Sequence, residues 1–358
     1  MTNEASAGPV FVIGIWRSGT SLLYTLLNQH PQIALTYESD LFLLRSLFRN
    51  GVNKPDWLER WEFWNSALTR HHIDTAEIPA EIPNYPAAAT LVWKQYAGKQ
   101  YAAKQQAAKQ SSDAGLYGDK SPNYFDSLQP LAEQFPNGRF IVIWRDLADT
   151  CRSIVRAARG SAFFAKRGIS HRALIGYRRM KRECDALVRQ GIPIHQIQYE
   201  EMIAAPESVM QGICSFLSIP FDARMTSLDD ADRSAIYEAP QHAGVKSAKI
   251  GRDEPREEVL TPELQGKIAR YVAYWKQESG GTWPRYPQAA DEVTPAGVLE
   301  RARDEVYFRA LRGFDRFTAW IYCHAPISSL RSYRGAKAQN AEQPAPEPAA
   351  LPEVSTRN

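Results

Sequence analysis

The stretch Val10-Phe11-Val12-Ile13-Gly14-Ile15-Trp16-Arg17-Ser18-Gly19-Thr20-Ser21 decides the fold. Val10 to Ile13 is a short apolar, β-rich run without a polar residue, the pattern of a strand buried on both faces. Gly14 ends it. Beyond the turn, Leu22, Leu23, Leu26 and Leu27 recur at helical spacing until His30-Pro31 closes the segment. The unit is therefore strand, glycine-containing loop, helix. Two later runs repeat it: Phe140 to Trp144, followed by Arg145-Asp146 and helical sequence, and Ile194 to Tyr199. Strands alternating with helices predict an α/β fold, a mostly parallel central sheet flanked by helices, with ligands beyond the strands' carboxyl ends. Val10 to Ile13 and Phe140 to Trp144 are its expected centre.

Gly14 to Ser21 lies where successive backbone N–H groups and a helix N-terminus surround a phosphate, which makes the sheet P-loop-like. The nucleotide-triphosphatase form of such a loop ends G-K-[ST], its lysine reaching the β- and γ-phosphates while the hydroxyl holds magnesium. Here Thr20 stands in the lysine's position. Trp16, Arg17, Ser18, Gly19, Thr20 and Ser21 suit one phosphate with a short anionic extension, a donor smaller than ATP. Arg145 directly follows a strand, and Ser153 lies two turns into the helix that begins after it, so both are candidates to hold a second anion. An arginine fork plus a hydroxyl suits a phosphate monoester. Two anion sites at the ends of two central strands imply a nucleoside carrying phosphates at two positions. Asp146 reads as a helix cap or as an orienting partner of Arg145.

The remaining chain fits an ordinary soluble protein. Of 358 residues, 44% are hydrophobic and 23% charged, and 43 basic against 40 acidic residues leave +3, too balanced to advertise a nucleic-acid partner. Any anion site is therefore local. Cys151, Cys184, Cys214 and Cys323 lie far apart and read as reduced thiols. The opening MTNEASAGPV lacks a basic leader and the apolar run behind it is too short to span a bilayer, so a cytoplasmic protein is expected. Residues 1–290 are expected to form the α/β domain, with a helical insertion at about 50–118 that includes a helix around Leu91 to Gln110. A C-terminal helical extension follows over 291–335, and the Pro- and Ala-rich residues 336–358 read as a disordered tail. Arg152 to Arg189 holds 11 Lys and Arg against Glu183 and Asp185, either a solvated helical face or a wall facing an anion. Trp57, Trp61, Trp64 and Tyr85 read first as core, with stacking on a sugar or covering a lipid as the alternative. Val298 to Ile327 is amphipathic and ends in Phe317-Thr318-Ala319-Trp320-Ile321-Tyr322. It is expected to pack back on the core, with a homodimer or membrane-surface contact as the rival.

The loop, the Arg145 and Ser153 pair, Gly118-Asp119-Lys120-Ser121-Pro122-Asn123-Tyr124-Phe125, Gln198-Tyr199-Glu200-Glu201-Met202-Ile203 and Ile250-Gly251-Arg252 together resemble the sulfotransferases that use 3′-phosphoadenosine 5′-phosphosulfate (PAPS), closest to bacterial and carbohydrate-type members. The resemblance implies PAPS as donor and 3′-phosphoadenosine 5′-phosphate (PAP) as product. No metal is expected, because the His71-His72 pair has no third ligand nearby. The sequence does not identify the hydroxyl or amine acceptor, and the basic span and the aromatic residues leave a carbohydrate and a lipid both open. It assigns Arg17 to Ser21 to the 5′-phosphosulfate and Arg145, Ser153 and Arg252 to the 3′-phosphate. Asp253-Glu254 stand where the family usually continues with an aromatic residue. The family's catalytic carboxylate falls on Glu38, and Arg17 and Lys120 are the cations available where charge builds on the leaving oxygen. Alternatives stay open at this stage. Glu38 could cap a helix starting near Asp40, Lys120 could be a surface loop lysine, and Asp119, Asp40, His71, His72 or His171 could be the base. A P-loop small-molecule kinase and a catalytically silent nucleotide-binding scaffold are the competing functions.

Overall fold

A computed structural model describes residues 8–48, 54–108, 115–161, 163–165, 169–229, 231–236, 250, 260–278 and 293–333. In chain order the elements are β1 Val10–Ile13, α1 Thr20–Asn28, β2 Ile33–Tyr37, a 3₁₀-helical turn Leu41–Phe48, α2 Trp57–Asn65, α3 Ala67–Arg70 and α4 Tyr85–Ala108. There follow β3 Leu116–Lys120, α5 Leu128–Gln134, β4 Arg139–Trp144, α6 Leu147–Ala157 and α7 Ile169–Arg189. Next come β5 Ile194–Gln198, α8 Tyr199–Ala204, α9 Pro206–Leu217, α10 Pro262–Glu278 and α11 Val298–His324.

Five strands form one parallel sheet in the order β2-β3-β1-β4-β5. The period-two alternation of a strand explains how β1 holds the two halves of the molecule together. Phe11 and Ile13 enter the layer built with α4, α5 and α7, while Val10 and Val12 enter the layer built with α1 and α9. Strand β4 does the same, with Phe140, Val142 and Trp144 on one side and Ile141 and Ile143 on the other. Burial on both faces is what makes these runs read as unbroken hydrophobic sequence.

Three expectations change. The last residues of the expected insertion are strand rather than helix, since β3 begins at Leu116 and pairs with both β1 and β2. Strand β5 stops at Gln198, and Tyr199 opens α8. Within the basic span Arg152 to Arg189, three cations of α7 form neither a solvated face nor an anion wall, while Arg182 and Arg189 are exposed. Arg172 pairs with Asp315, Arg178 with Glu278 at 3.0 Å and Arg179 with Glu305, so these cations bind the carboxylates of α10 and α11. Helix α11 itself packs back on the core. Arg312 and Asp126 form a buried ion pair, and Arg60 of α2 donates to the carbonyls of Tyr322 and Ala325 at 2.8 and 2.9 Å. Trp57, Trp61 and Tyr85 are core residues, and Trp64 packs edge-on against Tyr322. The four cysteines are free and buried. Residues 336–358 lie outside the described residues.

Candidate active site

Most candidate residues stand at the carboxyl edge of the sheet, because each belongs to the end of a parallel strand or to the residues just after it, while Ser153 is brought there from within α6. Along that crest Glu38 follows β2, Lys120 ends β3, the glycine loop follows β1, Arg145 follows β4 and Tyr199 follows β5. Neighbouring strands lie about 4.8 Å apart, so the ends of β2 and β4, which carry Glu38 and Arg145, are separated by roughly 15 Å along that edge.

The loop folds tightly on itself. Ser18 N–H donates to the Ile15 carbonyl at 3.0 Å, and Arg17 and Gly19 both adopt positive φ, 70° and 98°. Gly19 caps α1 without a side-chain hydrogen bond to its first-turn amides. Those amides and the positive end of the helix dipole therefore remain available to an anion. The Ser18 hydroxyl is fully buried and bonds no described group, an arrangement that fits a phosphate-type ligand. Thr20 is buried at the start of α1, and Ser21 Oγ lies 2.8 Å from Tyr37 OH. The Trp16 ring packs against Phe125 and Phe163, so Trp16 offers the loop its backbone. At Gly19 a Cβ would stand 2.4 Å from the Tyr199 ring. Gly19→Ala is expected to combine that clash with left-handed strain, lowering stability by at least about 1–2 kcal/mol, read as a shift in the denaturant midpoint.

The second anion position adjoins the loop. Arg17 Nε donates to Ser153 Oγ at 3.1 Å, and Arg145 Nη1 donates to the Arg17 carbonyl at 3.0 Å. Arg145 and Ser153, the two candidates for the second anion, are thus linked through Arg17. The Arg145 guanidinium lies 4.3 Å from the centre of the Tyr199 ring and its Nε is buried without an acceptor among the described residues. Tyr177 OH donates to the Arg145 carbonyl at 2.5 Å. Asp146 is the cap of α6, accepting the Asp149 N–H at 2.8 Å. Arg252 lies outside the described residues.

Toward the β2 side of the edge, Lys120 Nζ donates to Glu38 Oε1 at 2.7 Å and lies 3.4 Å from the centre of the Tyr37 ring. Lys120 is fully buried, whereas the Glu38 side chain keeps 19% of its surface exposed. This excludes both alternatives for the pair: Lys120 belongs to a buried strand, and the Glu38 carboxylate engages Lys120 rather than a helix N-terminus. Burial depresses the Lys120 ammonium below its ordinary value, against the opposing pull of Glu38, Asp119 and Asp40.

Glu38 and Asp40 both take left-handed backbone angles, φ 51° and 53°. Such conformations persist only where the surroundings over-determine them. Here the insertion does so. Asn65 of α2 donates to the Glu38 and Ser39 carbonyls at 2.8 and 2.9 Å, and Trp61 Nε1 donates to the Ser39 carbonyl at 2.7 Å. Arg70 of α3 reaches the Tyr37 and Glu38 carbonyls at 2.8 and 3.2 Å.

The rival bases are engaged elsewhere. Asp119 is fully buried and accepts from Thr36 Oγ1 at 2.6 Å, Ser39 N–H at 3.1 Å and Tyr124 OH at 2.6 Å. Burial pushes its carboxyl up. Asp40 accepts from Ser121 Oγ at 2.6 Å and Asn123 Nδ2 at 3.0 Å, and burial, then the Glu38 charge, push it up to about 7. His71 is buried 3.2 Å from the Tyr37 carbonyl, and desolvation lowers it to about 3. It stays neutral at physiological pH. His72 is exposed, and the His171 side chain lies outside those described. Among the described residues no group of three or more His, Cys, Asp and Glu could hold a metal ion.

Sequence reasoning missed Tyr37, Asn65 and Arg70, gave Tyr199 no role of its own, and did not foresee the hydrogen bonds that hold Asp119. Tyr37 and Tyr199 carried a local signal, each being an aromatic residue beside an acidic one where a strand ends or has just ended.

Fold and site together define a P-loop-like α/β protein that carries, along one edge of its sheet, a glycine loop, an arginine-serine cluster and a buried lysine paired with a partly exposed glutamate. A family model described as Sulfotransferase family matches residues 9–223, and the chain belongs to that family. It is 24% identical over 267 residues to protein-tyrosine sulfotransferase 1 of Danio rerio, covering 74% of this chain and 65% of the relative. It is also 24% identical over 221 residues to protein-tyrosine sulfotransferase A of Caenorhabditis elegans, covering 60% of this chain and 51% of that one. The chain thus spans between about half and just under two thirds of these relatives. Among solved structures, the sulfotransferase domain from the Synechococcus PCC 7002 olefin synthase aligns with a TM-score of 0.48 at 20% identity, covering 77% of this chain and 95% of that domain.

Proposed function

We propose that this protein transfers a sulfuryl group from PAPS to a hydroxyl or amine of an acceptor, with PAP as product. Membership of the sulfotransferase family supports the reaction class. The observation that carries the reading is the contiguity of the two anion positions: Arg17 bonds Ser153, and Arg145 bonds Arg17. Together they form one rim that suits a nucleoside bearing anions at two positions.

When bound, PAPS supplies an activated sulfuryl group whose bridging oxygen leaves with the 5′-phosphate. The chain's own residues do the rest. The α1 amides, Ser18, Thr20 and Ser21 hold the 5′ end, and Arg145 with Ser153 holds the 3′-phosphate, with Arg252 as a further candidate. Arg17 and Lys120 stabilise the negative charge that builds on the bridging oxygen, where one preorganised donor is worth about 3 kcal/mol. Glu38 orients the acceptor and takes its proton as the new O–S or N–S bond forms and the bridging S–O bond breaks. Lys120 holds that carboxylate in position. Free buried thiols suit a reducing cytoplasm. The acceptor is read as a carbohydrate or lipid. The relatives' names make a tyrosine-containing peptide the third substrate to assay.

Adenosine 3′,5′-bisphosphate without magnesium is expected to raise the melting temperature, with a stabilisation of about 2.7 kcal/mol at a hundredfold excess over Kd, and AMP is expected to do markedly less. Arg145→Ala is expected to erase that difference. Equal stabilisation by AMP in the unmodified protein, or magnesium-dependent ATP hydrolysis in place of transfer, would overturn the reading.

A further inference from the structure

The outer face of α11 carries features that neither the core nor the proposed reaction uses. Leu299, Val306, Gly313 and Trp320 recur every seven residues, as do Ala310 and Phe317, so all six share one side of the helix. That side points to solvent: Leu299 is 86% exposed, Val306 68%, Phe317 55% and Trp320 51%. The Phe317 and Trp320 rings stack 5.9 Å apart, and Trp320 stacks on His324 at 4.7 Å. The opposite side is fixed to the core by buried Phe308, Arg312, Ala319 and Cys323. The stripe is therefore a rigid shelf rather than a frayed end.

Charge on the helix is sorted in the same sense. Each of its four carboxylates is drawn to a cation of the body: Glu300 to Arg270 at 2.8 Å, Asp304 to Lys267 at 2.6 Å, Glu305 to Arg179 and Asp315 to Arg172. The exposed charges flanking the stripe are Arg303, Arg309 and Arg316. Arg309 shares Glu305 with Arg179 at 3.2 Å and Arg303 lies 3.8 Å from Asp304, so each of those carboxylates serves two cations and the stripe's edge keeps a net positive charge. The sequence then continues into Arg331-Ser332-Tyr333-Arg334-Gly335-Ala336-Lys337.

We infer that this face docks on the surface of an anionic lipid bilayer. An exposed apolar and aromatic stripe flanked by arginines matches the boundary between acyl chains and phosphate headgroups. The arginine stems lie along the apolar surface while their heads reach the lipid phosphates. The helix lies on the membrane rather than across it, since no helix among the described residues is long and apolar enough to span one. A second copy of the chain complements the face less well: self-packing would bring the arginines of both copies together, with no carboxylate on the stripe to receive them. The inference rests on the helix alone, so it stands or falls separately from the sulfuryl-transfer reading.

Flotation of the full chain with vesicles tests it. Equal parts phosphatidylcholine and phosphatidylglycerol are expected to carry the protein, pure phosphatidylcholine far less, and high salt to release it. Phe317→Ser with Trp320→Ser is expected to lower partitioning at least about tenfold, and Arg303→Glu with Arg316→Glu to act likewise, with unfolding temperatures unchanged because all four side chains are exposed. Equal binding to neutral vesicles, or binding indifferent to both double variants, overturns the proposal. So does absence of vesicle binding in a protein that sediments as a dimer and becomes monomeric on Phe317→Ser with Trp320→Ser, which would assign the face to a second copy.

Discussion

Glu38→Gln is expected to lower sulfuryl transfer by about 10² to 10⁴-fold while leaving the affinity for adenosine 3′,5′-bisphosphate within a small factor of the original. The amide retains the length of the side chain and an oxygen that can accept from Lys120 Nζ, which donates to Glu38 Oε1 at 2.7 Å. What it loses is the capacity to take a proton. Nucleotide affinity is expected to persist because the loop and Arg145 belong to other strands, β1 and β4. Single-turnover transfer with labelled donor, alongside a binding titration, separates the two properties. Asp40→Asn is the companion measurement. Asp40 is held by Ser121 and Asn123, so its amide variant is expected to retain most of the transfer rate. Normal transfer by Glu38→Gln together with loss in Asp40→Asn would move the base to Asp40.

Arg312→Leu is expected to produce the largest loss of stability, about 3–5 kcal/mol. Arg312 Nε donates to Asp126 Oδ2 at 2.8 Å, and the two side chains keep only 8% and 2% of their surface exposed. Removing the guanidinium leaves a carboxylate buried under α11 without its counter-charge. The same principle predicts that Arg312→Leu combined with Asp126→Leu recovers most of the loss, because replacing both partners removes the isolated charge. Denaturant midpoints of the two single variants and the double variant form the cycle. A single-variant loss below about 1 kcal/mol would mean that the pair is hydrated rather than desolvated.

What could be read from residue order alone follows from where the burial is one-dimensional. Val10 to Ile13 and Phe140 to Trp144 are covered on both faces, so apolar continuity announces them without tertiary information, and the glycine loop announces the turn between strand and helix. Strand β3 was legible as a family-like segment and not as a strand. Leu116-Tyr117-Gly118-Asp119-Lys120 contains a glycine and two charges, which local propensity assigns to a turn. Only the assembled fold makes it a strand, by giving Asp119 three hydrogen-bond donors and Lys120 a carboxylate. The turn at Glu38 is a similar case. Its left-handed residues are imposed by Asn65 and Arg70, which lie some thirty residues further along the chain, and no neighbour in sequence signals them. Arg172, Arg178 and Arg179 of α7 misread for the same reason, since their carboxylates arrive from helices a hundred or more residues later.

The central position of β1 bears on how this chain is made. Its registers run to Gly118–Lys120 on one side and to Arg139–Val142 on the other, so neither neighbour exists when it leaves the ribosome. At about 5–20 residues per second, this apolar segment of the nascent chain waits on the order of ten seconds for its first partner strand. Expression at lower temperature or with surplus chaperone is accordingly the route to soluble material, and refolding from denaturant is bound to be slow and concentration-sensitive.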